Sequence, residues 1–197
     1  MITTIKNHKR ACDLCDKTDY EIIEVAEDDY KVLKCLNCGL VFVDPVPYDD
    51  FLKNAYDRNY YEPWLEEQRK KRFVLWKKRL KALNSILIKK GRLLDIGCGE
   101  GLFLEVAKKD GWDVSGTELS GYAIEYIKGK LNYPAYKGDL LEIDLPEKSF
   151  DVVTMWHVLE HITKPLECLK KVKTILKDGG VLILAIPNFN NKVFQWL

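Results

Sequence analysis

A doubly wound, mostly parallel α/β sheet preceded by a small four-cysteine unit is the architecture this sequence predicts, and three observations predict it. Apolar strand-like runs alternate with helical stretches over residues 91–187. A glycine-rich turn, Gly97-Cys-Gly-Glu-Gly101, follows the first such run. Two Cys-x-x-Cys pairs stand ahead of both. With 197 residues, 47% of them hydrophobic, the chain can bury one ordinary core and an appendage. Its longest apolar run, Val181–Ile186, is too short to span a bilayer, and the opening MITTIKNHKR lacks the apolar segment of a signal peptide. A cytoplasmic location and no membrane partner are the expectations.

Residues 1–48 form the first segment. Cys12 and Cys15 are separated from Cys35 and Cys38 by nineteen residues, which fits the spacing of a four-thiolate structural zinc site. Gly39 can supply the positive φ that the second knuckle needs. Tyr20–Val25, 30–34 and 40–43 read as three short strands, the first two joined by an acidic turn at 26–29. Together these features outline a zinc ribbon. A unit this small cannot bury enough surface alone, so the metal would supply folding free energy. Loss of the metal, or an exchangeable dithiol, is the alternative. Cys98 and Cys168 read as single reduced thiols.

Asp44-Pro-Val-Pro47 stiffens a linker into the second segment, 49–90, which serves as a helical connection or cap. Tyr56, Tyr60, Tyr61 and Trp64 form an aromatic cluster; they pack against the next domain, or Tyr60 or Tyr61 lines a ligand mouth. Here lies the basic part of the chain, with twelve Lys/Arg against six Asp/Glu, whereas residues 1–48 carry six against nine. Phe73, Trp76, Leu80, Leu83 and Leu87 recur at steps of three and four. The basic residues are therefore expected on the outer, solvated face of an amphipathic helix rather than on a nucleic-acid patch.

The third segment, 91–197, begins with the strand Arg92–Ile96 and the helix Leu102–Lys109. Strand Trp112–Thr117, helix Tyr122–Lys130, a short strand Ala135–Lys137, strand Phe150–Met155, helix Pro165–Leu176 and strand Gly180–Ile186 follow. Right-handed crossovers turn this order into a doubly wound sheet. Glycines at 97, 99 and 101 let backbone approach a ligand where the chain enters the first helix. The spacing is not that of a nicotinamide dinucleotide site, whose third glycine would fall at Leu102. Glu100 would sit badly against a pyrophosphate but not against a cationic ligand. Glu118 closes the second strand, where a carboxylate can accept hydrogen bonds from two ribose hydroxyls.

Leu94-Asp-Ile-Gly-Cys-Gly-Glu-Gly101, Gly116-Thr-Glu118, Gly138-Asp-Leu140, Phe150-Asp-Val-Val153, Leu159-Glu-His161 and Leu176-Lys-Asp-Gly-Gly-Val-Leu182 together resemble the ordered motifs of class I S-adenosylmethionine-dependent methyltransferases, whose domain is Rossmann-like. The resemblance covers most of 91–187. It implies that Asp95 and the loop residues Gly97, Cys98, Gly99 and Gly101 hold the methionine part of S-adenosyl-L-methionine, that Glu118 holds its ribose, and that Asp139 and Leu140 address its adenine. Tyr60, Leu119 and Trp156 are placed beside the same cofactor. The four-cysteine leader is similar to that of bacterial and archaeal methyltransferases, among them deoxysugar C-methyltransferases. This points to a small-molecule acceptor such as a nucleotide-linked sugar. An rRNA or tRNA methyltransferase is the enzyme alternative, against which the acidic ribbon counts; a non-catalytic cofactor-binding relative is the other. The family sheet ordinarily has seven strands, and this sequence stops at Phe194-Gln-Trp-Leu197, past the fifth. The expectation is a truncated chain or one completed by a partner, with self-association through an exposed sheet edge.

His157, Glu160 and His161 in Trp156-His-Val-Leu-Glu-His161 also spell a zinc-peptidase signature, but the flanks are a strand and Pro165 rather than a long helix. Placed after the fourth strand, the segment faces the cofactor cleft. His157 is the leading candidate for substrate contact or general base, since imidazoles titrate near neutral pH. On a helix, 157, 160 and 161 would share one face, so a metal or local hydrogen bonding stays open. Some quinone-pathway methyltransferases carry an acidic version of this segment that binds a divalent ion; His157 stands where they have the first acid.

Overall fold

The computed structural model describes residues 3–6, 8–25, 30–45, 56, 58–66, 68–87 and 89–188. The acidic turn at 26–29, the Pro47 end of the linker, the side chain of Trp64 and the aromatic run at 194–197 lie outside the described residues.

The first segment folds as a four-stranded antiparallel meander in the order β1 (Thr3–Ile5), β2 (Tyr20–Val25), β3 (Lys31–Cys35), β4 (Val41–Asp44). β1 is an addition to the three expected strands; three residues are too few to show an alternation in sequence. Cys12, Tyr20, Leu33 and Cys35 are buried at its centre with Ile5, Ile22 and Phe42 packed around them. The Tyr20 hydroxyl lies 2.8 Å from the carbonyls of both Arg10 and Lys17, so the buried phenol has its partner.

Helices α1 (Arg58–Glu66) and α2 (Arg69–Ile86) follow. Leu80 and Leu83 are buried, and Phe73, Trp76 and Leu87 pack beside them, as the three-and-four spacing requires. The basic residues divide by type, which corrects the expectation that they all face water. Lys70, Lys71, Lys77, Lys78 and Lys81 are exposed. Arg69 and Arg72 turn inward to Glu105 and Glu100, and Arg79 lies over Trp76 and Trp156. A guanidinium is more weakly hydrated than an ammonium and stacks on rings, so it is the cation that tolerates this side.

The remaining chain builds a five-stranded parallel sheet from β5 (Arg92–Ile96), β6 (Asp113–Glu118), β7 (Ala135–Lys137), β8 (Phe150–Trp156) and β9 (Leu176–Ala185), in the order β7-β6-β5-β8-β9. Between the strands run α3 (Leu102–Lys109), α4 (Gly121–Tyr126) and α5 (Pro165–Ile175). Near-continuous apolar strands are what a sheet buried on both faces requires, and adjacent residues divide between the faces. Leu93 and Val152 join α2, α3, Trp112 and Ile124 in one core, whereas Leu94 and Val153 join Cys168, Val172 and Ile175 of α5 in the other. Most ends fall within one residue of expectation; the larger differences are that α4 continues as a π-helical turn, Ile127–Leu131, and that β9 starts at Leu176. Among the described residues β9 pairs with β8 alone and forms one edge of the sheet.

Candidate functional site

The strand order reverses between β5 and β8, and in such sheets ligands bind beyond the carboxyl ends of the strands at that point. A cleft of about 470 Å³ opens there. Its floor comes from the ends of β5 (Asp95, Ile96), β6 (Thr117, Glu118) and β8 (Trp156), together with Gly97, Cys98, Gly99 and Glu100 of the loop after β5. Tyr60 and Tyr61 of α1 cover it together with Tyr56, two positions ahead of that helix, and Arg72, Trp76 and Arg79 form the α2 wall.

Gly97 adopts φ +64, and a Cβ there would meet the Val158 side chain at 2.5 Å, so only glycine fits. Asp95 is 2% exposed and accepts a 2.6 Å hydrogen bond from Thr154 Oγ1 across the β5–β8 pair. Burial raises its carboxyl from 3.8 to about 8, against the lowering effect of that hydrogen bond. Glu118, 7% exposed, accepts backbone N–H bonds from Ser120 and Gly99, both at 3.0 Å, and burial holds its carboxyl above the ordinary range. Burial likewise raises the phenols of Tyr56, Tyr60 and Tyr61 and lowers Arg79. The tyrosines therefore stay neutral, and the two carboxyls are held toward their protonated forms until a cation or further hydrogen-bond donors compensate them.

Of the residues singled out by sequence, Tyr60, Asp95, Gly97, Cys98, Gly99, Glu118, Leu119, Asp139, Leu140, Trp156, His157 and His161 line this one cleft. Gly101 and Glu160 do not. Gly101 caps α3 with φ +78, and a Cβ there would press on Ile127 at 2.9 Å, so its glycine serves the packing of the π-helical turn. Residues 157–161 do not form the helix that would set 157, 160 and 161 on one face. His157 has φ +58 and donates its N–H to the Ala185 carbonyl at 2.8 Å, which ends β8; only Leu159–His161 makes a 3₁₀ turn. His157 Nδ1 lies 3.5 Å from Glu160 Oε1 and its Nε2 lies 3.4 Å from Arg79 Nη2. His161 instead meets the Tyr56 ring edge-on at 6.4 Å between centroids. Among the described residues, these three side chains are not close enough to share an ion.

Cys12, Cys15, Cys35 and Cys38 are. Their sulfurs all lie within 4.8 Å of one another, with the Cys12–Cys38 and Cys15–Cys35 pairs at 3.6 Å. Tetrahedral thiolates 2.3 Å from zinc would stand about 3.8 Å apart, whereas a disulfide would bring two of them to about 2 Å. Gly39 has φ +77 at the second knuckle, as expected.

Sequence reasoning missed Arg79, whose guanidinium lies 4.7 Å and 4.9 Å from the ring centroids of Trp76 and Trp156. Its place one turn beyond Trp76, on the flank between core and water, was the available signal.

The profile described as "Methyltransferase domain" matches residues 66–196. A ubiquinone biosynthesis O-methyltransferase of Coxiella burnetii is 32% identical over 126 residues, which cover 60% of this chain and 53% of that protein. This chain thus spans about half the length of the curated relatives it matches. The structure of an S-adenosylmethionine-dependent methyltransferase from Archaeoglobus fulgidus is similar with a TM-score of 0.54 and 30% identity, covering 66% of this chain and 57% of that one. The PH0226 protein of Pyrococcus horikoshii shares the fold with a TM-score of 0.57 at 24% identity, over 71% and 66% of the two chains.

Folding favours the protonated form of Asp95, so the stability this group contributes is fully present below pH 3.8 and is lost as pH rises through about 8. Asp95→Asn should remove that dependence. Between pH 5 and pH 9 the melting temperature of the parent should fall on the order of 10 °C further than the variant's, from about 1.4 kcal/mol per pH unit and about 2–4 °C per kcal/mol for a chain of this size; parallel curves in scanning calorimetry would contradict the assignment.

Proposed function

The chain belongs to the methyltransferase-domain family, and from that premise we propose that it transfers a methyl group from S-adenosyl-L-methionine to a small-molecule acceptor with an ionisable hydroxyl. When bound, the cofactor supplies a methyl group on an electrophilic sulfonium. The observation that carries this proposal is the convergence of Asp95, the Gly97–Gly99 turn and Glu118 on one cleft at the strand-order reversal. Buried carboxylates of this kind suit a ligand that brings positive charge and hydroxyl donors. Glu118 would accept from the ribose hydroxyls, and Asp95 and the turn would face the methionine portion. Leu140, Leu119 and Asp139 would flank the adenine, and Arg79 and Trp156 would offer N–H donors to a carboxylate.

His157 is the residue of the cleft suited to take a proton from the acceptor. Glu160 Oε1, 3.5 Å from Nδ1, can hold the proton there, which leaves Nε2 as the basic nitrogen once Arg79, 3.4 Å away, turns from it to the ligand. The relatives' printed names support a small O-nucleophile. The four-cysteine leader keeps a nucleotide-linked sugar among the acceptors to assay, and the ribbon would hold a structural zinc on Cys12, Cys15, Cys35 and Cys38.

Calorimetric titration should show S-adenosylmethionine and S-adenosylhomocysteine binding to the parent, and Glu118→Ala weakening both by roughly 10- to 100-fold, as loss of charged hydrogen bonds does. Undiminished binding in the variant, or none in the parent, would defeat the site. Asn tolerates a positive φ, so His157→Asn is the suitable variant for the base. Its turnover on phenolic or sugar hydroxyl acceptors should drop about 10²–10⁴-fold with cofactor affinity unchanged; parent-like turnover would rule the base out. Metal analysis of the purified protein should find about one zinc per chain, removable only with unfolding of the ribbon. Four freely reactive thiols in a folded, metal-free ribbon would count against the metal.

A further inference from the structure

The glycine loop carries one side chain that the chemistry proposed above leaves unused. Glu100 stands between Gly99 and Gly101, is 3% exposed, and meets Arg72 with 2.5 Å between Oε1 and Nη1. A carboxylate this far from water needs a compensating partner, and for Glu100 that partner is the Arg72 guanidinium of α2. The pair joins α2 to the loop next to the peptide that matters for Glu118. Gly99 donates its N–H to Glu118 Oε2 while Ser120 donates to Oε1, both at 3.0 Å. Two amides thus orient the carboxylate, and one of them belongs to the neighbour of Glu100. Other polar ties of α2 run elsewhere: Arg69 meets Glu105 within α3, and Asn84 donates to Asp110 at the end of that helix while accepting from Trp112 Nε1. Those contacts, with the buried Leu80 and Leu83, hold the helix in place.

We infer that Arg72 is a positioning residue for the ribose end of the ligand: through Glu100 it fixes the Gly99 amide, and through that amide the carboxylate of Glu118. This inference rests on the cofactor reading given above. It separates Arg72 from residues that merely hold the fold, because its effect falls on ligands that present ribose hydroxyls to Glu118 and spares those that do not.

The test uses S-adenosylhomocysteine and its 2′,3′-dideoxyribose analogue as probes, titrated calorimetrically into the parent, Arg72→Met, and the charge-balanced Arg72→Met/Glu100→Gln. Removing both charges avoids leaving a buried carboxylate unpaired, so the double variant carries the test even if the single one folds poorly. The double variant should melt within a few degrees of the parent yet bind S-adenosylhomocysteine about tenfold more weakly. The dideoxy analogue should bind parent and variant alike. Parent-like affinity of the double variant for S-adenosylhomocysteine, or an equal loss for both probes, would overturn the inference. A parent that binds neither probe would defeat the cofactor reading itself, and the inference with it.

Discussion

Three carboxylates, Asp95, Glu100 and Glu118, are buried around a single cleft, and keeping them there constrains most of what surrounds it. Each removal from water has a different compensation. Asp95 takes a hydroxyl from the neighbouring strand, Glu118 takes two backbone amides, and Glu100 takes a guanidinium from α2. The β5–β8 pairing, the turn after β5 and the placement of α2 are thereby tied to the same cleft of about 470 Å³. An uncompensated carboxylate in such a place costs several kcal/mol, more than most single contacts in the molecule contribute.

α2 shows how one helix serves two surroundings. Its 18 residues include eight cations and no acid. The lysines stay in water, where an ammonium is best hydrated, while the arginines reach carboxylates and indole faces. Arg79, held between Trp76 and Trp156, brings a positive charge into a cleft whose floor is otherwise acidic. The wall over the cleft is therefore not a generic apolar cap: it sets a guanidinium opposite a floor of acidic side chains that burial holds toward their protonated forms.

The alternation of apolar strands with amphipathic helices was sufficient to place all five strands of the parallel sheet to within a few residues, because that period is imposed by the two-sided burial of the sheet. The cleft's floor was legible for a related reason: glycines at 97 and 99 and an acid at 118 are set by local backbone and strand-end geometry, and such constraints leave their mark in spacing. What escaped was whatever depends on tertiary direction alone. Arg72 and Arg79 look in sequence like any other cation of a basic helix, and only the position of Glu100 and the two tryptophans distinguishes them from Lys71 and Lys78. A helix at 157–161, the condition for setting its three polar residues on one face, does not form because His157 gives its N–H to β9, a partner nearly thirty residues away that no local pattern announces.

His157 also bears on how this cleft could change. A side chain with a Cβ in the left-handed region is held there at a cost on the order of 1–3 kcal/mol, and the Ala185 carbonyl is one of the contacts that keeps it so. Glycine at this position would relax the backbone and make the local fold cheaper to form, while deleting the imidazole. Local stability and chemistry therefore pull in opposite directions at one residue. A programme that selects variants for thermal tolerance alone would be drawn toward discarding the group on which turnover is proposed to depend.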